Sequence, residues 1–370
     1  MSIEIQVIRK ARELNEVFRL TARIYRNDPN WVPPLRSDFR KLLDPKRNPF
    51  FEHAQMTRLI ARRDGWTVGS ICAIDNRAHV EYWKEPVGFF GFFECVNDVK
   101  VAQRLLDEAA KWLHPRGLNV LRGPMNPSTN DTIGILVDGF DAPPMVMMTY
   151  NPPYYPQLLE AAGLRKVKDV YAYKLRREDI TERMLRHGEA IRQRLKVKIR
   201  PIEVKNLPSE IEKIRAIYNS AWSRNWGFIP MTPAEFDHTA KDLKKILDPR
   251  LAFIAEDDGK PVGFSLALPD INIALKHARG RLFPFGVFKI LYYARKIHQA
   301  RVITMGVIEE YRNKGIDTLF YIETFMRGVA AGYDWAETSW ILEDNVAMNR
   351  AMKMMGGAIY KTYRIYEKLI

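Results

Sequence analysis

This 370-residue chain repeats itself, and the repeat narrows the folds open to it more than any other feature. Asn30-Trp31-Val32-Pro33 is echoed by Asn225-Trp226-Gly227-Phe228-Ile229-Pro230, and Leu42-Leu43-Asp44-Pro45-Lys46 by Ile246-Leu247-Asp248-Pro249-Arg250. The run LIARRDGWTVGSICAI (59–74) aligns with FIAEDDGKPVGFSLAL (253–268), with Gly69 opposite Gly263. NPPYYPQLLEAAGLRKVKDVYAYKL (151–175) aligns with NVAMNRAMKMMGGAIYKTYRIYEKL (345–369), with Gly163 opposite Gly357. Both alignments carry one offset of 194 residues (263 − 69 and 357 − 163). Each match is loose, but two distant blocks sharing one offset point to two copies of one fold.

Each copy has the same order of elements. A strand (IEIQVIRKA; VKIRPIEV) leads into a helix, Leu14 to Arg26 or Pro208 to Ser223. After a long loop come two strands around a charged hairpin turn, Arg63-Asp64-Gly65 or Asp257-Asp258-Gly259. Another strand, a long helix (Lys100 to Leu113; Ile316 to Ala331), a Gly-containing turn, a strand, a short helix and a last strand follow. The pattern predicts an α+β fold, two tandem domains each with a mixed, mostly antiparallel sheet packed between helices. The expected boundaries are 1–176 for the first domain, 177–198 for a connecting helix and 199–370 for the second. Met184, Ile191 and Leu195 fall near helical spacing in the connector.

Hydrophobic residues make up 46% of the chain, enough for two buried cores and outside the disordered class. The 2 cysteines, Cys72 and Cys95, show no metal-ligand spacing and read as buried small hydrophobes, so no metal site is expected. No apolar run reaches the ~18 residues of a membrane span, and the N-terminus lacks a signal-peptide core, so a cytoplasmic protein is expected. A net charge of +14 favours anionic partners. That charge is spread along the chain without a nucleic-acid-binding motif, and nucleic acid is not an expected partner.

The copies diverge in three places. Between Val307 and Leu319 the second half reads VIEEYRNKGIDTL, whereas the first passes from strand to helix through Asn97-Asp98 alone. The first half carries instead a polar insertion, RGPMNPSTNDTIGILVDGFDAPP (122–144). The second gains INIALKHARGRLFPFGVFKILYYARKIHQ (271–299), a lid, an interface helix or a membrane-surface contact, most simply a structural cover. In VIEEYRNKGIDTL a strand runs into a helix opening near Ile316. The first amides of a helix have no internal acceptor, and the helix dipole adds positive character there. Gly315 lets the backbone wrap closely, and Arg312 and Lys314 add charge. The residues alone fit both an anion cradle and a plain turn with basic side chains in solvent.

The same residues resemble the acyl-CoA pyrophosphate loop of the GNAT acetyltransferase superfamily, R/Q-x-x-G-x-G/A. Arg312, Gly315 and Asp317 fall on its three positions, after Val307, Glu310 and Tyr311. Asn345-Val346-Ala347-Met348 followed by Gly356-Gly357 resembles its second motif, and the whole chain resembles uncharacterised bacterial proteins with two GNAT folds in tandem. The resemblance implies that Arg312, Asn313, Lys314, Gly315, Ile316 and Asp317 hold the pyrophosphate of acetyl-CoA or another acyl-CoA. It further implies that main-chain groups at Gly306 and Val307 pair with the pantetheine arm, and that Asn345 contacts the thiol arm. The first half, lacking the loop, is then a degenerate copy. Asp317 stands where Gly or Ala is usual, and Met352 where a tyrosine commonly protonates the leaving thiolate.

The catalytic candidates are Glu337 as base, with Glu309 or Glu310 as alternatives, and Tyr360 or Tyr363 as a substitute acid. Asn126, Ser128, Thr129, Asn130 and Asp131 cluster in the first half, with Tyr154 and Tyr155 nearby, and read either as turn residues or as an acceptor pocket. The expected function is acyl transfer, most simply acetyl transfer, to a small-molecule or peptide amine by direct attack in a ternary complex, by a monomer or homodimer. The alternatives are a non-catalytic acyl-CoA-binding or sensing protein and an aminoacyl-tRNA-dependent transferase.

Overall fold

A computed structural model describes residues 2–370. The strands of the first repeat are β1 (Glu4–Val7), β2 (Ala54–Arg63), β3 (Trp66–Asn76), β4 (Val87–Cys95), β5 (Val120–Gly123), β6 (Met125–Asn126), β7 (Thr132–Ile133), β8 (Ile135–Asp138) and β9 (Arg165–Arg176). Those of the second are β10 (Lys198–Pro201), β11 (Ala252–Asp257), β12 (Lys260–Pro269), β13 (Gln299–Val307), β14 (Trp335–Leu342) and β15 (Ala358–Leu369). The helices are α1 (Leu14–Ile24), α2 (Arg36–Leu42), α3 (Arg77–Trp83), α4 (Val99–Leu113), α5 (Tyr155–Ala161), α6 (Glu182–Arg194), α7 (Leu207–Ala221), α8 (Pro233–Leu243), α9 (Asn272–Ala278), α10 (Gly286–Ala294), α11 (Ile316–Ala330) and α12 (Val346–Met354).

Local chemistry explains much of this order. The β2–β3 and β11–β12 hairpins turn on Asp64-Gly65 and Asp258-Gly259, all four with positive φ, as a tight two-residue turn requires. Along α4 the apolar residues Val101, Leu105, Ala109 and Leu113 recur at helical spacing, and all are buried. The α+β class expected from the sequence is the one observed.

The chain forms two compact units. The first runs up to Val170 and adds 279–284 and 361–370; the second comprises 171–278 and 285–360. The expected boundary at 176 coincides with the end of β9, whereas the division between the units falls within that strand, after Val170. In the first unit the sheet order is β1-β2-β3-β4-β5-β15, with β4 and β5 parallel. β15 pairs antiparallel with β5, from Tyr366↔Gly123 to Leu369↔Val120. In the second unit the order is β10-β11-β12-β13-β14-β9, with β13 and β14 parallel. Residues 361–369 of β15, from the second repeat, thus belong to the first unit, and residues 171–176 of β9, from the first repeat, to the second. Tyr366, fully buried, accordingly packs in the core of the first unit with Leu105, Leu121 and Tyr155.

Candidate active site

In the second unit the register opens a gap beside β13. Against β12, Leu266 faces Thr304 and Ala267 faces Val302, so Ile303 is the extra residue of a bulge. The parallel pairing of β13 with β14 runs from Gln299↔Trp335 to Val302↔Thr338 and stops there. Thr304 to Val307 are therefore hydrogen-bonded on one edge and open on the other. Among the described residues, two buried polar atoms on the unpaired stretches, Thr304 Oγ1 and Trp340 Nε1, have no hydrogen-bond partner. The open edge itself is what an amide-bearing ligand pairs with, as an added strand does. Gly306 is required for a different reason: a β-carbon there would lie 2.4 Å from the Trp222 ring and 2.9 Å from the Ala221 β-carbon.

The gap leads to the loop before α11. Asn313 (φ 60) and Gly315 (φ 95) are both left-handed, and α11 begins without a side-chain cap. Its first amides point outward from a turn that Gly315 allows, the arrangement that receives an anion. The charged side chains of the loop are held aside. Arg312 Nη2 donates to Ala221 O (2.8 Å), at the end of α7. The Lys314 ammonium lies 4.1 Å from the centre of the Tyr311 ring, whose hydroxyl donates to Asp257 (2.7 Å). Glu309 pairs with Arg224 (3.1 Å) and Glu310 with Lys260 (3.0 Å). Asp317 is exposed in the first turn, where its carboxylate suits the helix dipole.

Glu337 and Tyr360 meet: the Tyr360 hydroxyl donates to Glu337 Oε2. Glu337 Oε1 accepts from Ser339 (2.5 Å) and lies 3.4 Å from Arg301 Nε, Arg301 being its register partner across the parallel ladder. Glu337 and Arg301 are buried, so the pair forms a dry, fully bonded cluster one residue before the ladder ends. Asn345 caps α12, its side-chain oxygen accepting from Met348 N (3.1 Å). Met352 is buried, and its sulfur accepts from Thr338 (3.0 Å).

The first unit repeats the geometry with different residues. Its parallel ladder stops at Phe89↔Arg122, and β4 bulges where Cys72 faces Gly91 but Ser70 faces Glu94. Asp98 caps α4 and fills the position left uncapped in α11. Its Oδ1 accepts from Lys100 N (2.8 Å) and Val101 N (3.4 Å), while Arg63 holds its Oδ2 (2.6 Å). Gly69↔Cys95 corresponds to Gly263↔Val307, so Glu94 stands where the second unit has Gly306. Tyr155 (2.7 Å) and Tyr25 (3.1 Å) both donate to Glu94 Oε2. Burial pushes the Glu94 carboxyl up to about 7, against the opposing pull of those two phenols.

Sequence reading missed Glu94 and Tyr25. The available signal was a lone carboxylate inside the apolar run GFFGFFECV. Of the polar cluster, Ser128 Oγ donates to Asp131 (2.7 Å) and accepts from Asn130 N (3.2 Å), bonds of a local turn. Asn126 accepts from Phe92 N (2.6 Å) at the bulge. Tyr154 donates to Cys95 O (2.8 Å), so Tyr154 and Tyr155 gather at the end of β4, whereas Ser128, Asn130 and Asp131 bond among themselves.

No family model matches the chain. Solved structures show that its fold is that of the GCN5-related N-acyltransferases. A tandem GNAT protein from the clavulanic acid biosynthesis pathway superposes with TM-score 0.58 at 12% identity, covering 100% of this chain and 98% of its own. A GCN5-related N-acetyltransferase from Sphaerobacter thermophilus gives 0.55 at 13%, covering 99% and 95%. Among curated proteins, the bacterial ceramide synthase of Caulobacter vibrioides is 36% identical over 374 residues, 98% of this chain and 96% of its own. Protein YghO of Escherichia coli is 35% identical over 364 residues, 97% and 93%. The chain belongs to the family of these two proteins.

Proposed function

We propose that this protein is an acyl-CoA-dependent N-acyltransferase whose second unit holds the donor, and whose acceptor is the amine of a long-chain amino alcohol. The carrying observation is the open edge of Thr304–Val307 leading into the uncapped start of α11. When bound, acyl-CoA supplies the activated acyl group. The chain's own part is to pair the β13 edge with the pantetheine amides and to hold the pyrophosphate on the amides of 313–317, with Lys314 and Arg312 turned onto it. Such positioning supplies much of the acceleration in a direct attack.

A long acyl chain is favoured over acetyl by two observations. A relative carries the name ceramide synthase, and a ceramide is the amide of a fatty acid and a long-chain amino alcohol. The second unit also contains an apolar cleft lined by Val302, Tyr321, Phe325, Trp335, Thr338 and Met355, beside the last pair of the parallel ladder. We assign the amine's proton to the hydrogen-bonded pair Tyr360–Glu337. The closed bonding of that pair favours one other reading, a non-catalytic acyl-CoA-binding protein.

Incubation with palmitoyl-CoA or acetyl-CoA and a sphingoid base, followed by thiol release and product mass, separates the readings. The long-chain amide is expected. An acetylated product alone would remove the long-chain assignment, and binding without thiol release would leave a sensor.

A further inference from the structure

The insertion 271–299, expected from the sequence to act as a structural cover, leaves one face of α10 bare. Phe288, Leu291 and Tyr292, with Phe285 immediately before the helix, occupy positions i, i+3, i+6 and i+7, one stripe on its surface. Their exposures are 68% for Phe285, 70% for Phe288, 61% for Leu291 and 57% for Tyr292. Gly286, Val287, Ile290 and Tyr293 lie on the less exposed side, where Tyr293 stacks on His277 of α9 (3.5 Å). A soluble surface seldom presents so many large apolar side chains together.

The charge around the stripe selects its partner. No Asp or Glu occurs between Asp270 and Glu309. Lys276, Lys289, Arg295 and Lys296 are all exposed, and the Lys296 ammonium lies 4.8 Å from the Tyr292 ring centre, at the edge of the apolar stripe. An aromatic and aliphatic face rimmed by lysine and arginine, on a helix too short to span, suits the boundary between anionic headgroups and acyl chains. We propose that α10 is a docking element that seats this protein on an anionic phospholipid surface. The inference stands on exposure and charge and is independent of which acyl-CoA or amine the protein uses.

The test is co-sedimentation of the full chain with phosphatidylcholine vesicles, with and without phosphatidylglycerol. Three proteins are compared: the parent, Phe288→Ser/Leu291→Ser and Lys289→Gln/Lys296→Gln. All the changed side chains are exposed, and melting curves confirm that the variants fold. Binding to the anionic vesicles is expected, weakened about tenfold or more in each variant and further by salt. Absent binding, or binding unchanged in both variants, would overturn the proposal. A parent dimer that Phe288→Ser/Leu291→Ser makes monomeric, with no vesicle binding, would assign the face to a second copy instead.

Discussion

The two units share a bulge, a split between parallel strands and a helix aimed at the split, yet they treat the helix start in opposite ways. In the first, Asp98 accepts two amide hydrogens of α4 and is locked by Arg63, so a carboxylate already occupies the anion position. In the second, Gly315 leaves the amides of α11 without a side-chain acceptor. One position deeper, Glu94 with two tyrosines replaces Gly306 beneath Trp222. If the proposed donor site is right, a duplicated fold can lose an anion site without losing its backbone: one capping carboxylate fills it, and the strand beside it is free to carry another group.

The strand exchange gives the largest expected effect. Tyr366 lies in the second repeat but in the first unit's core, so Tyr366→Ala is predicted to destabilise the first unit by about 3–5 kcal/mol. Hydrogen exchange should show protection lost in β2–β5 and kept in β11–β13; the reverse pattern would refute the assignment of β15.

Next is the buried carboxyl present in only one unit. Between pH 4.5, the ordinary glutamate value, and about 7, the unfolded chain releases the Glu94 proton while the folded chain keeps it. Stability of the first unit therefore falls as pH rises across that window, by roughly 3 kcal/mol in all, then levels off. Glu94→Gln, which keeps an acceptor for both phenols, should flatten the dependence. A variant whose melting follows the same pH profile as the parent would show that Glu94 is not its source.

Smallest is the cap itself. Asp98→Ala should cost about 1 kcal/mol, the usual value of an N-cap, with the loss of the Arg63 contact included in the measured change. Calorimetric melting of the two units would register it in the first alone. A shift in the second unit would mean that the units do not melt as separate bodies.

The local parts of this fold were legible in the sequence. The turn pairs Asp64-Gly65 and Asp258-Gly259, the α4 stripe and the left-handed Gly315 all follow from neighbours in the chain. What escaped was long-range. The exchange of β9 and β15 could not be read because both strands carry the same pattern, and pattern does not say which sheet a last strand joins. The Arg301–Glu337 pair depends on a parallel register between strands, and the Glu94 cluster on tyrosines 61 and 69 residues away. Asn345 shows that one residue can carry two signals: the motif suggests a ligand contact, and its oxygen also serves the local need of a helix start.

The most direct test is a calorimetric titration of the full chain with coenzyme A, repeated on Arg312→Ala/Lys314→Ala and on Asp98→Ala. One site per chain is predicted, weakened about 10- to 100-fold by loss of the two loop cations and unchanged by Asp98→Ala. Binding that survives intact in the loop variant, or a second site in the parent, would contradict the division of labour between the two units.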